Sequence, residues 1–268
     1  MKDFKLEQYR VLVILPTYNR LPYLKQAIGS VLNQTYKNIE LLVSDNSDNE
    51  KVRDYLEFLN DNRITYVRSG YGISPLEHAA YWEKYAQQKS HDFFTIFHDD
   101  DLMKKNHIKS SLKILIDNKG IKATSPAADI INEKGIKSGE KTNFILYTDR
   151  VIKGYWGVFS SCWLNPMIYP ATVYRSTIKY SPVRLFARSV KGYFDYSGNI
   201  LTIFNDGVIV SKKNTFSYRV HSGQDSVNFS VHHATLHRRA RRVAIGKIKC
   251  NVFFKLLFVI LFTIRACY

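Results

Sequence analysis

Three consecutive carboxylates, Asp99, Asp100 and Asp101, follow directly on the apolar run Phe93 to Phe97, with His98 at the junction. Such a run reads as a buried strand, and ligand sites in open α/β sheets lie just beyond the carboxyl ends of strands. Two unit charges about 4 Å apart at an effective dielectric of roughly 20 repel by about 4 kcal/mol, so adjacent buried acids require a compensating charge. A divalent cation, Mg²⁺ or Mn²⁺, supplies it, because hard cations take carboxylate oxygens and leave other positions to water and substrate phosphate. The plainer reading is a solvated acidic turn that caps the helix predicted from Leu102 to Ile116. One cap accounts for one acid, however, and not for three.

Other polar groups recur at predicted strand ends. Val11 to Leu15 is a continuous β-branched and apolar run that empties into Pro16-Thr17-Tyr18-Asn19-Arg20, and Ile39 to Val43 empties into Ser44-Asp45-Asn46-Ser47. Between them, Leu24 to Leu32 has helical periodicity, which makes one β-α-β unit. A helix from Val52 to Leu59, a strand from Ile64 to Val67 and a helix from Leu76 to Ala86 continue the alternation. This order predicts an α/β fold, a Rossmann-like three-layer sandwich with a mainly parallel sheet. Ala123 to Ala127 and Asp129 to Ile131 read as two short strands. Lys137 to Gly157 reads as irregular, Leu164 to Tyr174 as extended and proline-limited, and Phe194 to Phe204 as a helix. Gly207 to Val210 and Thr215 to Arg219 read as a strand pair.

Composition sets wider bounds. The 268 residues are 45% hydrophobic and 23% charged, ample for a core, and carry a formal charge of +16. That excess attracts polyanions: nucleic acid, an anionic membrane or phosphate-bearing substrates. No DNA- or RNA-binding signature accompanies it, and much of it lies near the C-terminus, so no nucleic-acid partner is expected. Cys162, Cys250 and Cys267 are odd in number and lack CxxC spacing, which argues against a disulfide framework or zinc site. The first apolar run is too short for a signal peptide or a membrane span, and a cytoplasmic location is expected.

In sequence order, Pro16-Thr17-Tyr18-Asn19-Arg20, Gln34-Thr35-Tyr36, Val43-Ser44-Asp45-Asn46-Ser47 and His98-Asp99-Asp100-Asp101-Leu102 resemble the motifs of family 2 inverting glycosyltransferases of the GT-A fold. The resemblance covers roughly residues 10 to 225. It implies a nucleotide-sugar-binding half (1–118) and an acceptor-binding half (119–230), followed by a helical tail (231–268). It also implies sugar transfer, from a UDP-sugar or similar donor to a glycan or lipid-linked glycan, in bacterial-type surface polysaccharide synthesis. Pro16, Thr17, Tyr18 and Asn19 would border the nucleoside, with Tyr18 stacking on the base. Asp45 would meet the base, and Asp99 would lie near the ribose.

The acidic run resembles the DXD motif, with Asp100 or Asp101 on the metal, although His98 stands where the first Asp of that motif is common. The segment Gly72 to His78 also departs from the family, many members carrying an Asn near this helix start. Tyr218-Arg219-Val220-His221 resembles the Tyr-Arg-x-His segment, which implies Arg219 on the diphosphate and His221 on the metal or diphosphate. Phe194-Asp195-Tyr196 matches two positions of the Glu-Asp-aromatic pattern and makes Asp195 the catalytic base, with Asp206 and Asp225 as alternatives. Tyr155 to Phe159 and Trp163 suit acceptor sugar faces or core packing. A metal-dependent nucleotidyltransferase is the competing enzyme class, but Pro16 to Asn19 is not the glycine-rich phosphate loop it would need.

The C-terminal segment is basic through Arg242, Lys247 and Lys249 and then apolar from Val252 to Ile264. Interrupted by Lys255, it is too short to span a bilayer, and a basic then apolar helix suits the surface of an anionic membrane. Packing of the same residues as ordinary core is the alternative.

Overall fold

The computed structural model describes residues 6–141, 149–163, 166–178 and 194–224, with 246, 248 and 254 beyond them. Four apolar runs become the strands Val11–Thr17 (β1), Ile39–Asp45 (β2), Ile64–Arg68 (β3) and Phe93–Ile96 (β4). They lie parallel in the order β3-β2-β1-β4. β1 and β2 run in step from Val11↔Ile39 to Thr17↔Asp45, so their polar ends emerge level with one another.

Alternate residues of β1 feed two cores. Val11, Val13 and Leu15 pack with Leu24, Ala27, Ile28 and Val31 of the helix Leu21–Leu32 (α1), whose spacing gives one apolar stripe. Val52 and Leu56 of Lys51–Leu59 (α2) join them. Leu12 and Ile14 face the opposite layer, where Ala79, Trp82 and Ala86 of Pro75–Gln87 (α3) cover them. α3 opens with a capping box in which Ser74 and Glu77 satisfy each other's backbone N–H, with Pro75 at the first helical position.

Beyond β4 the chain departs from the expected path. The helix predicted from Leu102 begins only at His107, as His107–Asp117 (α4), and Leu102–Met103 (β5) is instead a short strand. The acids therefore do not cap a helix. Ala123–Ile131 (β6) is one strand rather than two, followed by Lys137–Lys141 (β7) and Arg150–Ile152 (β8). The helix Gly154–Trp163 (α5) begins inside the segment read as irregular. A 3-10 turn at Tyr169–Ala171 leads into Val173–Arg175 (β9), and the helix expected from Phe194 is Phe194–Asn205 (α6).

The last two predicted strands are a single twelve-residue strand, Val208–Arg219 (β10), which pairs with β6 rather than with itself. Its register shifts between Val210 and Asn214, where β6 presents Pro126, a residue with no N–H for the ladder. The full order is β3-β2-β1-β4-β9-β6-β10-β5, with β7 on β6 and β8 on β10. Parallel ladders hold most of the paired residues, and β5, β7, β8 and β9 make the second half mixed.

His107, at the start of α4, is fully buried, with Nδ1 3.0 Å from Thr215 Oγ1. Desolvation pushes its pKa down from 6.5 to about 3. The folded protein thus excludes a proton that the unfolded chain takes up below pH 6.5, and stability is lost as pH falls from there toward 3. The cost is about 1.4 kcal/mol per pH unit in that window. His107→Gln, which keeps a partner for Thr215 but cannot titrate, is expected to flatten this part of the acid limb in urea unfolding measured from pH 7 to 5.

Candidate functional site

The site begins where β1, β2 and β4 end side by side. Thr17, the last residue of β1, donates its hydroxyl to Asp99 Oδ2 at 2.7 Å. Asn19 adopts a positive φ of 55°, which an Asn tolerates better than most side chains. Its backbone N–H reaches Ser47 Oγ at 2.9 Å and its side chain accepts from Asn49, so the β1 and β2 loops are tied together. Asn46 makes a third tie, bonding both the N–H and the carbonyl of Ile73 in the loop before α3. Tyr18 projects from this frame half-exposed with its hydroxyl near Gly72, and the exposed Tyr71 carries Arg68 over its ring at 4.2 Å.

Asp45 is wholly buried. Its Oδ1 accepts from the Ser47 N–H at 2.8 Å and its Oδ2 from the Tyr66 hydroxyl at 3.0 Å, so it closes the turn after β2. In the segment that departs from the family, His78 Nε2 lies 2.9 Å from Ser44 Oγ, which fastens α3 to the end of β2.

Between β4 and β5 the three acids are all at most 5% exposed. The Arg20 guanidinium lies 3.6 Å from Asp99 and 3.5 Å from Asp100, and it also donates to the Gly223 carbonyl at 2.7 Å. Even so, burial first and the charge of Asp100 second push the Asp99 pKa up to about 7. His98, Asp100 and Asp101 each turn one ligand atom toward a common point, the three atoms lying within 4.8 Å of one another. An imidazole nitrogen with two carboxylates suits Mn²⁺ or Mg²⁺ with open positions for phosphate.

Two residues of the Tyr-Arg-x-His segment close the cluster from β10. His221 Nε2 is 3.0 Å from Asp100 Oδ2 and its ring lies 5.0 Å from Tyr23. Arg219 was expected on the diphosphate, but it is fully buried and its donors are spent inside the protein. Its backbone N–H reaches Asp101 Oδ1 at 2.8 Å and its Nε the Asp100 carbonyl at 2.6 Å. Nη1 serves the carbonyls of Asn132 and Glu133, Nη2 serves Gln26, and the group stacks over Tyr23 at 4.8 Å. Arg219 is therefore a strut joining the acids, the β6–β7 hairpin and α1. Lysine cannot span these acceptors with one ammonium, so Arg219→Lys is expected to lower stability by about 3 kcal/mol or more, read from the urea midpoint.

Of the other expected residues, Pro16 lies in β1 opposite Ser44. Asp195 is the second residue of α6, and its side chain falls outside the described residues. Asp206 is buried at the far end of that helix, and Asp225 lies outside the described residues. Sequence reading quoted Arg20 and His98 within the motifs without giving either a role, and it missed Gln26. A basic residue after the Pro-Thr-Tyr-Asn loop was the available signal for Arg20. Nothing in the spacing pointed to Gln26, whose partner is 193 residues away.

Residues 12–167 match the model of Glycosyl transferase family 2. The chain belongs to that family. This family 2 chain superposes on Staphylococcus aureus TarS 1-349 in complex with UDP-GlcNAc with a TM-score of 0.66 at 14% identity, covering 96% of this chain and 72% of that one. Mannosyltransferase PcManGT from Pyrobaculum calidifontis, in complex with GDP-Man and Mn²⁺, gives 0.61 at 15% identity, over 95% of this chain and 71% of that one. The shared architecture is GT-A. In sequence, the family 2 chain is 30% identical over 115 residues to Escherichia coli WfgD, a UDP-Glc:alpha-D-GlcNAc-diphosphoundecaprenol beta-1,3-glucosyltransferase, covering 42% of this chain and 44% of WfgD. The chain spans 16% to 56% of the length of three further curated glycosyltransferases that it matches.

Proposed function

We propose that this family 2 chain transfers a sugar, with inversion, from a nucleotide-diphosphate donor of the UDP-sugar type to a lipid-linked glycan, in surface polysaccharide synthesis. The observation that carries the reading is the cluster of half-buried His98 with buried Asp100 and Asp101 at the mouth of a GT-A sheet. UDP-GlcNAc in TarS, GDP-Man with Mn²⁺ in PcManGT and the diphosphoundecaprenol acceptor of WfgD support the three parts of it.

In this reading Tyr18 offers its exposed ring to the base, and the Pro16 to Asn19 loop borders the nucleoside. Asp45 shapes the base pocket through the turn it closes. Asp99, steadied by Thr17, faces the ribose, and Arg20 approaches the diphosphate. Asp100, Asp101 and His98 would hold Mn²⁺ or Mg²⁺, with His221 orienting Asp100 from behind. A bound cation offsets charge that develops on the leaving diphosphate, the kind of stabilisation that dominates such transfers. Asp195 takes the proton of the acceptor hydroxyl as it attacks the anomeric carbon.

A lipid-linked acceptor would bring the enzyme to the inner face of the cell membrane. Among the described residues no helix is long and apolar enough to cross a membrane. A panel of UDP- and GDP-sugars incubated with the protein and Mn²⁺ tests the proposal. Slow hydrolysis of one donor that chelator abolishes is expected; if every donor stays intact and none binds in calorimetry, the reading is wrong.

A further inference from the structure

Two arginines meet the acids, and they are held in different ways. Arg219 is fully buried, with its guanidinium bonded to acceptors inside the protein. The Arg20 side chain remains 28% exposed, at the mouth of the cluster. Its Nη1 stands 3.6 Å from Asp99 and 3.5 Å from Asp100, beyond the roughly 2.7–3.2 Å of an N–H···O hydrogen bond. Charge, rather than a hydrogen bond, joins this guanidinium to the two carboxylates.

What holds it there comes from the turn after β10. Arg20 Nη2 donates to the Gly223 carbonyl at 2.7 Å. Gly223 lies against His221, where an added Cβ would meet the imidazole Nδ1 at 3.4 Å, and His221 Nε2 returns to Asp100 Oδ2 at 3.0 Å. The turn is closed on itself by Gln224, whose N–H reaches the His221 carbonyl and whose side-chain amide reaches that of Arg219. Ser222 fastens it to Glu133. Arg20, Gly223, His221 and Asp100 thus form a ring that keeps one positive charge over the acids.

That charge acts with opposite sign on the two ligands of the proposed reaction. Asp100 shares the cation position with His98 and Asp101, so the guanidinium opposes a divalent cation drawn to the same carboxylate. A diphosphate arriving at the mouth is attracted instead, and the planar fork of an arginine matches phosphate oxygens. Screening by salt does little to either effect, because Asp99 and Asp100 are buried.

We propose that Arg20 is a counter-ion shared between the acidic cluster and the donor diphosphate: it holds down cation affinity until a diphosphate binds and draws the guanidinium to itself. Cation and diphosphate then bind cooperatively, each strengthening the other by the same factor. Arg20 is on this account a positioning residue that regulates how the site fills. The inference deepens the metal and nucleotide-donor reading and rests on it.

The test titrates the full chain with Mn²⁺ alone, followed by electron paramagnetic resonance, and with UDP or GDP alone in chelator, followed by calorimetry. Arg20→Gln keeps an amide donor for Gly223 and loses the charge. It is expected to bind Mn²⁺ about tenfold tighter than wild type and the nucleotide about tenfold more weakly, within the roughly 5- to 150-fold range of coupling between sites. Arg20→Lys, which keeps the charge, should stay near wild type toward Mn²⁺. A merely structural role would weaken both ligands together. Urea midpoints check that each variant folds, and Arg20→Met carries the same expectation if the Gln variant does not. Mn²⁺ binding to the charge-free variant that is no tighter than to wild type overturns the inference. Wild type is also titrated with Mn²⁺ and nucleotide together. If it binds neither, the metal and donor reading fails; if it binds both while Arg20→Gln leaves the Mn²⁺ affinity unchanged, only the role of Arg20 fails.

Discussion

Replacing Asp100 by Ala is expected to cut sugar transfer by roughly a hundred- to a thousandfold or more, the range for losing one preorganised electrostatic contact in a transition state. Asp100 is where the cluster's interactions converge: His221 at 3.0 Å, Arg20 at 3.5 Å, and His98 and Asp101 across the common point. Its removal should also abolish Mn²⁺ binding, followed by electron paramagnetic resonance in the absence of donor. The metal-free variant is nonetheless expected to be at least as stable as wild type, because Asp100 is a charge that pushes the Asp99 pKa up to about 7. An acid whose folded pKa is raised contributes stability below its unfolded value near 3.8, and that contribution disappears as pH rises through about 7. Below pH 6.5 this decline runs against the opposite contribution of His107, so it is read as a difference: the melting temperature of Asp100→Ala minus that of metal-free wild type should widen as pH rises from 5 to 7. Near-normal turnover in Asp100→Ala and Asp101→Ala alike would rule out the metal assignment.

The second large effect is expected at Asp195. Asn is nearly isosteric with Asp but cannot accept a proton, so Asp195→Asn should lower kcat by about 10²- to 10⁴-fold with the donor KM and Mn²⁺ affinity retained. Position supports this choice over Asp206. Asp195 stands in the first turn of α6, at the edge of the sheet where the acids lie, whereas Asp206 follows the last turn at the other edge. Donor hydrolysis to water and transfer to an acceptor should be measured separately. A variant that raises the donor KM and spares kcat would make Asp195 a binding residue.

Much of this was legible in local sequence because it depends on local physics. Val11 to Leu15 is apolar at consecutive positions and Ile39 to Val43 is apolar except at Glu40, which suits strands buried on both faces, and each run ends in polar residues. The first β-α-β units, the α6 boundaries and the gathering of Thr17, Asp45 and Asp99 to Asp101 at one edge follow from that pattern. What lay beyond it depends on partners distant in the chain. Leu102 and Met103 carry helical periodicity, but Phe216 and Ser217 offer them a strand edge more than a hundred residues later, and tertiary pairing overrode local preference. Arg219 looked like a ligand for phosphate. Its guanidinium instead meets carbonyls and an amide from three other parts of the chain, a burial that no spacing in sequence reports. His98 joins the acids for the same reason: the turn between β4 and β5 sets which side chains converge, and that turn is held by Thr17, Arg20 and Arg219 from outside it.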